Sequence, residues 1–284
     1  MMATDRPGVL DYLDLWALRL VKARRQKFAD DSGFYDTFFE AGDVEKYLGD
    51  VRNSVRLARV AEVYRTLFGA GSARVADVGC GLGVVLRFLP PGADYVGIEY
   101  SGHSLALARG AHPGRKARFE QGGFPHLPLE AASVDLAICL EVVEHVADDR
   151  TAFEELARVV RPGGHLLVSV PGHYYWPDYM RLIGHYRHYR GDGLARLLAE
   201  SGFRVVRRFP QFHGFWRVYH YFYLVLKAVE MVVRRLGARD FSILATPFYR
   251  AIARRIEAAL ARRGQADDRD STYVLARREP PPAA

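Results

Sequence analysis

The sequence predicts an α/β fold in which helices cover a mostly parallel sheet, and three observations carry that expectation. From residue 74 onward short apolar runs alternate with helical stretches, and the first run ends in an acid and a glycine-rich turn. Later, Arg161-Pro162-Gly163-Gly164 stops a helix directly before another apolar run. At 284 residues and 49% apolar content, the chain can bury one substantial core and carry an appended cap.

Residues 9–28 and 43–68 place Leu10, Leu13, Leu18 and Val21, then Val51, Val55, Ala58, Val63 and Leu67, at helical spacing, so 1–70 reads as an N-terminal helical region. Gly69, Gly71 and Ser72 break the pattern. Strands are expected near 74–78, 94–99, 116–120, 134–140, 164–170 and 203–209. Helices are expected near 82–89, 101–110, 148–160 and 192–201. Ser271 to Arg277 reads as one more short strand. Between it and the sixth strand, residues 210–270 form an insertion with two amphipathic helices, near 215–236 and 247–263. The Pro/Ala tail 279–284 is expected to be disordered.

Composition excludes several classes. Cys80 and Cys139 stand 59 residues apart with no Cys-x-x-Cys or Cys/His cluster, which argues against a disulfide framework or a structural zinc site. The first residues carry early acidic charge and no continuous apolar segment, so a cytoplasmic location is expected. The longest apolar stretch, Val218 to Val233, is interrupted by Lys227 and Glu230 and is not expected to span a membrane. The formal charge of +7 is uneven, with Arg-rich segments at 19–27, 181–190, 204–208, 234–239 and 250–263. An anionic partner and ordinary solvated Arg faces both account for them.

The chemistry starts at Val75-Ala76-Asp77-Val78-Gly79-Cys80-Gly81-Leu82-Gly83, an apolar strand followed by a glycine turn. Glycines let the backbone approach a ligand closely, and a following helix would offer unpaired N–H groups. A dinucleotide fingerprint would need a third glycine at position 84, where Val84 stands. Glu99 ends the next apolar run, 22 residues after Asp77. An acid there can accept hydrogen bonds from both hydroxyls of a ribose.

Taken in order, Asp77 to Gly83, Gly97-Ile98-Glu99-Tyr100-Ser101, Val134 to Val146 and Arg161 to Pro171 resemble the motif set of class I S-adenosylmethionine-dependent methyltransferases, over roughly residues 74–209. The resemblance implies a Rossmann-like α/β fold: a seven-stranded mostly parallel sheet with helices on both faces. The N-terminal helices precede this core, which is built from 71–209 and 271–278, and the helical insertion comes before the last, antiparallel strand. It implies S-adenosyl-L-methionine as cofactor, with Asp77, Gly79 and Gly81 along its methionine part, Glu99 on the ribose and Gly123 and Phe124 at the adenine; Cys80, Tyr100 and Leu140 adjoin them. Where the family usually has an acid near the adenine, this chain has Gln121-Gly122-Gly123-Phe124.

Methyl transfer needs alignment, exclusion of water and, for a protonated acceptor, a base. Candidates at the strand ends are Glu141, Glu144, His145 and His173, with a second polar-aromatic cluster at His185, Tyr186, Arg187, His188 and Tyr189. Glu141, His145 and His185 are the expected catalytic groups. Glu141-x-x-Glu144-His145 with the later His185 also resembles the metal-binding set of small-RNA 3′-terminal 2′-O-methyltransferases, and a similar string occurs in ubiquinone-pathway O-methyltransferases; by that resemblance Glu141, Glu144, His145 and His185 could hold one Mg2+, the minority reading beside a metal-free site. Class I enzymes that need no metal share the same string.

His213, Phe215, Trp216, Tyr219, His220, Tyr221, Phe222 and Tyr223 crowd the insertion, and Tyr174, Tyr175 and Trp176 lie before it. Burial in a core explains part of this density; an aromatic-walled pocket for an apolar acceptor explains the rest. The expected substrate is a hydrophobic small molecule, a natural product, quinone-like ring or isoprenoid/lipid, methylated at oxygen. The alternative is RNA docked on the basic surface, against which the aromatics alternate with aliphatics and not with Lys or Arg. Arg clusters beside apolar stripes in the insertion also suit a helix lying at an anionic membrane surface.

Overall fold

The computed structural model describes residues 51–172, 184–209 and 272–280, with scattered positions between 222 and 259. The expected helix at 9–28, the start of that at 43–68, His173, the aromatic run 174–176, the aromatic segment 213–221 and Tyr223 lie outside the described residues. Helix α1 spans Val51–Phe68. The sheet strands are β1 Arg74–Val78, β2 Asp94–Glu99, β3 Ala117–Gln121, β4 Val134–Leu140, β5 Val160–Ser169, β6 Phe203–Arg208 and β7 Tyr273–Arg278. Helices α2 (Gly102–Ala111), α3 (Asp149–Val159) and α4 (Gly191–Glu200) complete the described core.

The strands form one seven-stranded sheet in the order β3-β2-β1-β4-β5-β7-β6. Each of β1 to β5 pairs parallel with its neighbours among them, whereas β7 runs antiparallel between β5 and β6. Alternate side chains serve opposite faces, as the pleat requires. On β1, Val75 joins a core with Leu57, Val60 and Tyr64 of α1, while Ala76 and Val78 join one with Phe153 and Leu156 of α3 and Leu194 and Leu198 of α4. Both faces are thus covered, which explains why the strands read as nearly continuous apolar runs.

Caps fix where two helices begin. Ser101 Oγ accepts from the Ser104 N–H at 3.0 Å at the head of α2, and Asp148 accepts from the Thr151 N–H at 3.2 Å at the head of α3. The helix expected at 82–89 is instead a short 3-10 run, Val84–Phe88. Gly81 and Gly83 take left-handed φ of 51° and 66°, which no continuing α-helix accommodates. The stop signal at 161–164 proves to be an irregularity inside β5, where pairing with β4 shifts register between Val134 and Leu136. Strand order reverses at β1 and β4, so their carboxyl ends open the crevice where open α/β sheets take ligands.

Candidate active site

Asp77 and Glu99 stand on neighbouring strands around the glycine turn. Parallel pairing sets Asp77 opposite Gly97, and Tyr95, two residues earlier on the same face, donates its hydroxyl to Asp77 Oδ2 at 2.7 Å. Burial raises the Asp77 carboxyl to about 7; the Tyr95 hydrogen bond opposes that shift, and the charge of Glu99 adds to it. Glu99 is held differently, its Oε2 accepting from the Gly81 N–H and its Oε1 from the Ser101 N–H, both at 3.0 Å. The second-strand acid and the glycine turn therefore form one cradle.

The turn is tight because it must be. Gly79 has φ 73°, and a Cβ there would lie 2.4 Å from Val142 Cγ2. Cys80 is buried, and a Cβ on Gly97 would come within 2.8 Å of its Sγ, so the thiol packs against β2 and only its backbone serves the turn. At the β3 end, Gln121 Nε2 donates to the Tyr100 carbonyl at 3.0 Å, and a Cβ on Gly123 would be 3.5 Å from the half-exposed Tyr100 ring. Phe124 packs against the core on the α3 side, and Leu140 against the α1 side.

After β4 the chain turns through Glu141, a non-glycine residue at φ 57°. Its carboxylate accepts from Ser169 Oγ at 2.8 Å and faces Arg56 of α1 at 3.5 Å. Glu141 is therefore anchored between β5 and α1. Glu144 and His145 follow on a 3-10 turn, Val143–His145. Glu144 is 0% exposed, and neither carboxylate oxygen has a hydrogen-bond partner. Burial, with the charge of Glu141, pushes its carboxyl well above the usual range.

A second loop closes on this turn. The Tyr186 N–H donates to the Glu144 carbonyl at 2.8 Å, Arg187 binds the Val146 carbonyl at 2.9 Å, and Tyr189 donates to Asp149 at 2.9 Å. His145 Nδ1 meets the Gly184 carbonyl at 3.0 Å, and its ring packs edge-on to His185 at 4.5 Å between centroids. His185 Nδ1 lies 2.7 Å from His188 Nε2. Thus the structure brings Glu144, His145, His185 and His188 together and sets Glu141 apart. Sequence reasoning missed Arg56, Tyr95, Val142 and Ser169. Strand register could have flagged Tyr95, since its distance from Gly97 puts it on the face of Asp77; nothing local marks the others.

Residues 76–168 match the family model of a methyltransferase domain. The ubiquinone biosynthesis O-methyltransferase of Cronobacter sakazakii is 28% identical over 172 residues, 59% of this chain and 65% of that protein. The enzyme of the same name from Bordetella avium is 35% identical over 121 residues, 41% of this chain and 49% of that protein. The chain thus spans between about half and two thirds of the curated relatives it matches. Among solved structures, the [4+2]-cyclase SpnF superposes with a TM-score of 0.54 at 18% identity, covering 96% of this chain and 97% of that one. That likeness is one of fold alone.

Proposed function

We propose that this chain, whose core is a class I S-adenosylmethionine-dependent methyltransferase domain, methylates an oxygen of a hydrophobic small molecule such as a quinone-like or isoprenoid-bearing phenol. The observation that carries the reading is the acid cradle: the carboxylate of Glu99 is seated on the Gly81 N–H of the glycine turn, and the buried Asp77 on the neighbouring strand feels its charge. A carboxylate at the second strand tip accepts from vicinal ribose hydroxyls, and a buried acid beside the glycine turn opposes an ammonium. When bound, S-adenosylmethionine supplies a sulfonium methyl, which an acceptor oxygen takes as it loses its proton, leaving S-adenosylhomocysteine.

In this reading Asp77, Gly79 and Gly81 hold the amino-acid end, Glu99 the ribose, and Tyr100, Gly123 and Phe124 the adenine, while Cys80 and Leu140 shape the walls. His145 and His185 stand at the adjoining strand end, where a proton from the acceptor is to be received. Glu141, tied to Ser169 and Arg56, positions the loop. The names of the relatives, ubiquinone biosynthesis O-methyltransferases, support a quinone-like acceptor.

The insertion 210–270 serves here as a lid that also touches a membrane. Among its described residues Phe222, Val225, Val229, Val232 and Leu236 are exposed at alternating spacings of three and four, Leu236 by 82%, while Glu230 is turned inward and accepts from the Ile243 N–H at 3.0 Å. An apolar stripe facing outward, in a segment 222–263 with nine Lys and Arg against three Asp and Glu, suits an anionic lipid surface. No described helix is long and apolar enough to cross a membrane.

The test is incubation of the purified chain with labelled S-adenosylmethionine and separate quinone, lipid and RNA fractions, read by mass spectrometry. A labelled product in the quinone or lipid fraction is expected. Label confined to RNA would replace the acceptor assignment, and label in none would remove the activity.

A further inference from the structure

Methylation at a phenolic oxygen leaves a negative charge to be held. A phenol titrates near about pH 10 and an imidazole near about 6.5, so the proton leaves the acceptor readily only if something stabilises the oxyanion. A positive charge within about 4–6 Å of the oxygen lowers its pKa by about 1–3, which closes most of that gap. A guanidinium serves best, because it stays charged at every working pH.

Arg56 of α1 stands where that charge is needed. The Tyr273 hydroxyl, at the start of β7, donates to the Arg56 carbonyl at 2.9 Å, and the guanidinium lies 3.5 Å from the Glu141 carboxylate just beyond β4. Ser169, at the end of β5 and opposite Tyr273 in the sheet, closes the group. Its carbonyl accepts from the Glu141 N–H and its hydroxyl donates to Glu141 Oε1, both at 2.8 Å. Glu141 has φ 57° here, a conformation that a non-glycine residue keeps only when its surroundings hold it. Arg56 is thereby set at the carboxyl ends of β4 and β5, on the β4 side of the crevice.

Neighbouring arginines are bound more closely. Arg59 and Arg207 hold Glu62 at 2.8 Å and lie over the Phe209 ring, and Arg187 meets the Val146 carbonyl at 2.9 Å. By contrast the Arg56 contact with Glu141 is a charge contact, longer than a close hydrogen bond, and the Arg56 side chain is 24% exposed. Burial raises the phenolic hydroxyl of Tyr273, and the charges of Arg56 and Arg59 pull it back, so these guanidiniums act on one phenol of the protein itself.

We propose that Arg56 meets the acceptor oxygen and holds it as an oxyanion during methyl transfer, so that the acceptor is a phenol or an enol and not an aliphatic alcohol. The inference rests on the O-methylation reading. The acceptor O–H gives its proton to an imidazole, the guanidinium balances the charge left on oxygen, and a lone pair of that oxygen forms the new O–CH3 bond. The S–CH3 bond breaks in the same step and its electrons neutralise the sulfonium. An aliphatic hydroxyl is about as weak an acid as water, near 15.7, too weak for one such charge to ionise. Glu141 fixes the guanidinium and offsets part of its charge. Glu144, raised chiefly by burial, feels Arg56 as well.

The experiment uses the full chain saturated with S-adenosylhomocysteine and 4-nitrophenol as probe, whose anion alone absorbs in the visible. Absorbance against pH should show the bound probe ionising at least one pH unit below the free probe. Arg56→Gln should raise that midpoint by at least one pH unit, with Arg56→Lys in between. Glu141→Gln, which keeps an acceptor for the Ser169 hydroxyl, should lower it further; loss of packing alone would not move the two Gln variants in opposite directions. S-adenosylhomocysteine affinity should stay within about twofold in both Arg56 variants. No saturable probe binding, a bound midpoint at or above the free one, or a midpoint unchanged in Arg56→Gln overturns the assignment. A lowered midpoint with no labelled product from any fraction would leave Arg56 as a phenolate site and remove the proposed function alone.

Discussion

Tyr95 donates its hydroxyl to Asp77 at 2.7 Å inside the sheet, and although that bond favours the carboxylate, burial outweighs it and raises the Asp77 carboxyl to about 7. A carboxyl whose folded pKa is raised contributes stability that is full below its unfolded value near 3.8 and is lost as pH rises through about 7. Asp77→Asn removes that loss. In the cofactor-free protein the variant should gain stability on the alkaline side of neutrality, by up to about 4 kcal/mol, and show no gain at pH 4. Denaturant melts at pH 4 and pH 8 measure it, and an equal effect at both would refute the buried-proton account.

The same acid should couple cofactor binding to protons. If Asp77 opposes the ammonium of S-adenosylhomocysteine, binding at pH 6 ionises it and releases a proton to the buffer. Calorimetry in buffers of different ionisation enthalpy should show this release at pH 6 and its disappearance at pH 8 or in Asp77→Asn. Binding to the variant should also be weaker. Normal affinity in a folded Asp77→Asn would make the residue structural only.

Glu99→Ala should weaken S-adenosylhomocysteine binding. A hydrogen bond to a charged group contributes about 1.5–3 kcal/mol, or roughly 10- to 150-fold in affinity. Because the carboxylate also accepts from the Gly81 and Ser101 N–H groups, the turn should loosen while the sheet remains. Unchanged affinity by titration would remove the ribose assignment.

Gly79→Ala should destabilise the fold by about 2–4 kcal/mol, combining a strained positive φ with a Cβ driven into Val142. Adding Val142→Ala should recover the packing part and leave the backbone part. If the double variant is no more stable than the single one in urea melts, the contact with Val142 is not what demands glycine.

Replacing 212–268 by a short Gly/Ser turn should retain S-adenosylhomocysteine binding and abolish turnover, since the candidate cofactor residues all precede position 146. Retained turnover would dismiss the lid. For the membrane contact, flotation with anionic liposomes should carry the intact chain and fail at high salt, each Lys or Arg near the surface being worth about 1 kcal/mol. Val225→Glu with Val229→Glu should abolish flotation; salt-insensitive or absent binding leaves a lid without a membrane.

Local pattern was enough for much of the fold. Apolar runs bounded by turns placed β1, β2 and β4 to the residue, because strands buried on both faces must be continuously apolar and Gly79, Gly81 and Glu99 mark where they stop. The acid pair was legible for the same reason: each acid's place depends only on where its own strand ends. Where the sequence misled, a short-range conformational choice decided, as at Val84–Phe88, where two left-handed glycines turned an expected α-helix into a 3-10 run. A resemblance grouped His185 with Glu144 and His145, but only the tertiary structure showed how segments 39 to 41 positions apart meet, with the Gly184 carbonyl on His145 Nδ1 and the His185 ring edge-on to His145, because loop closure leaves no periodic trace in either segment. It alone set Glu141 apart from Glu144: Arg56 on α1 and Ser169 on β5 reach the first, and burial takes the second. Two glutamates three residues apart look alike in a motif, and their different surroundings give them different chemistry.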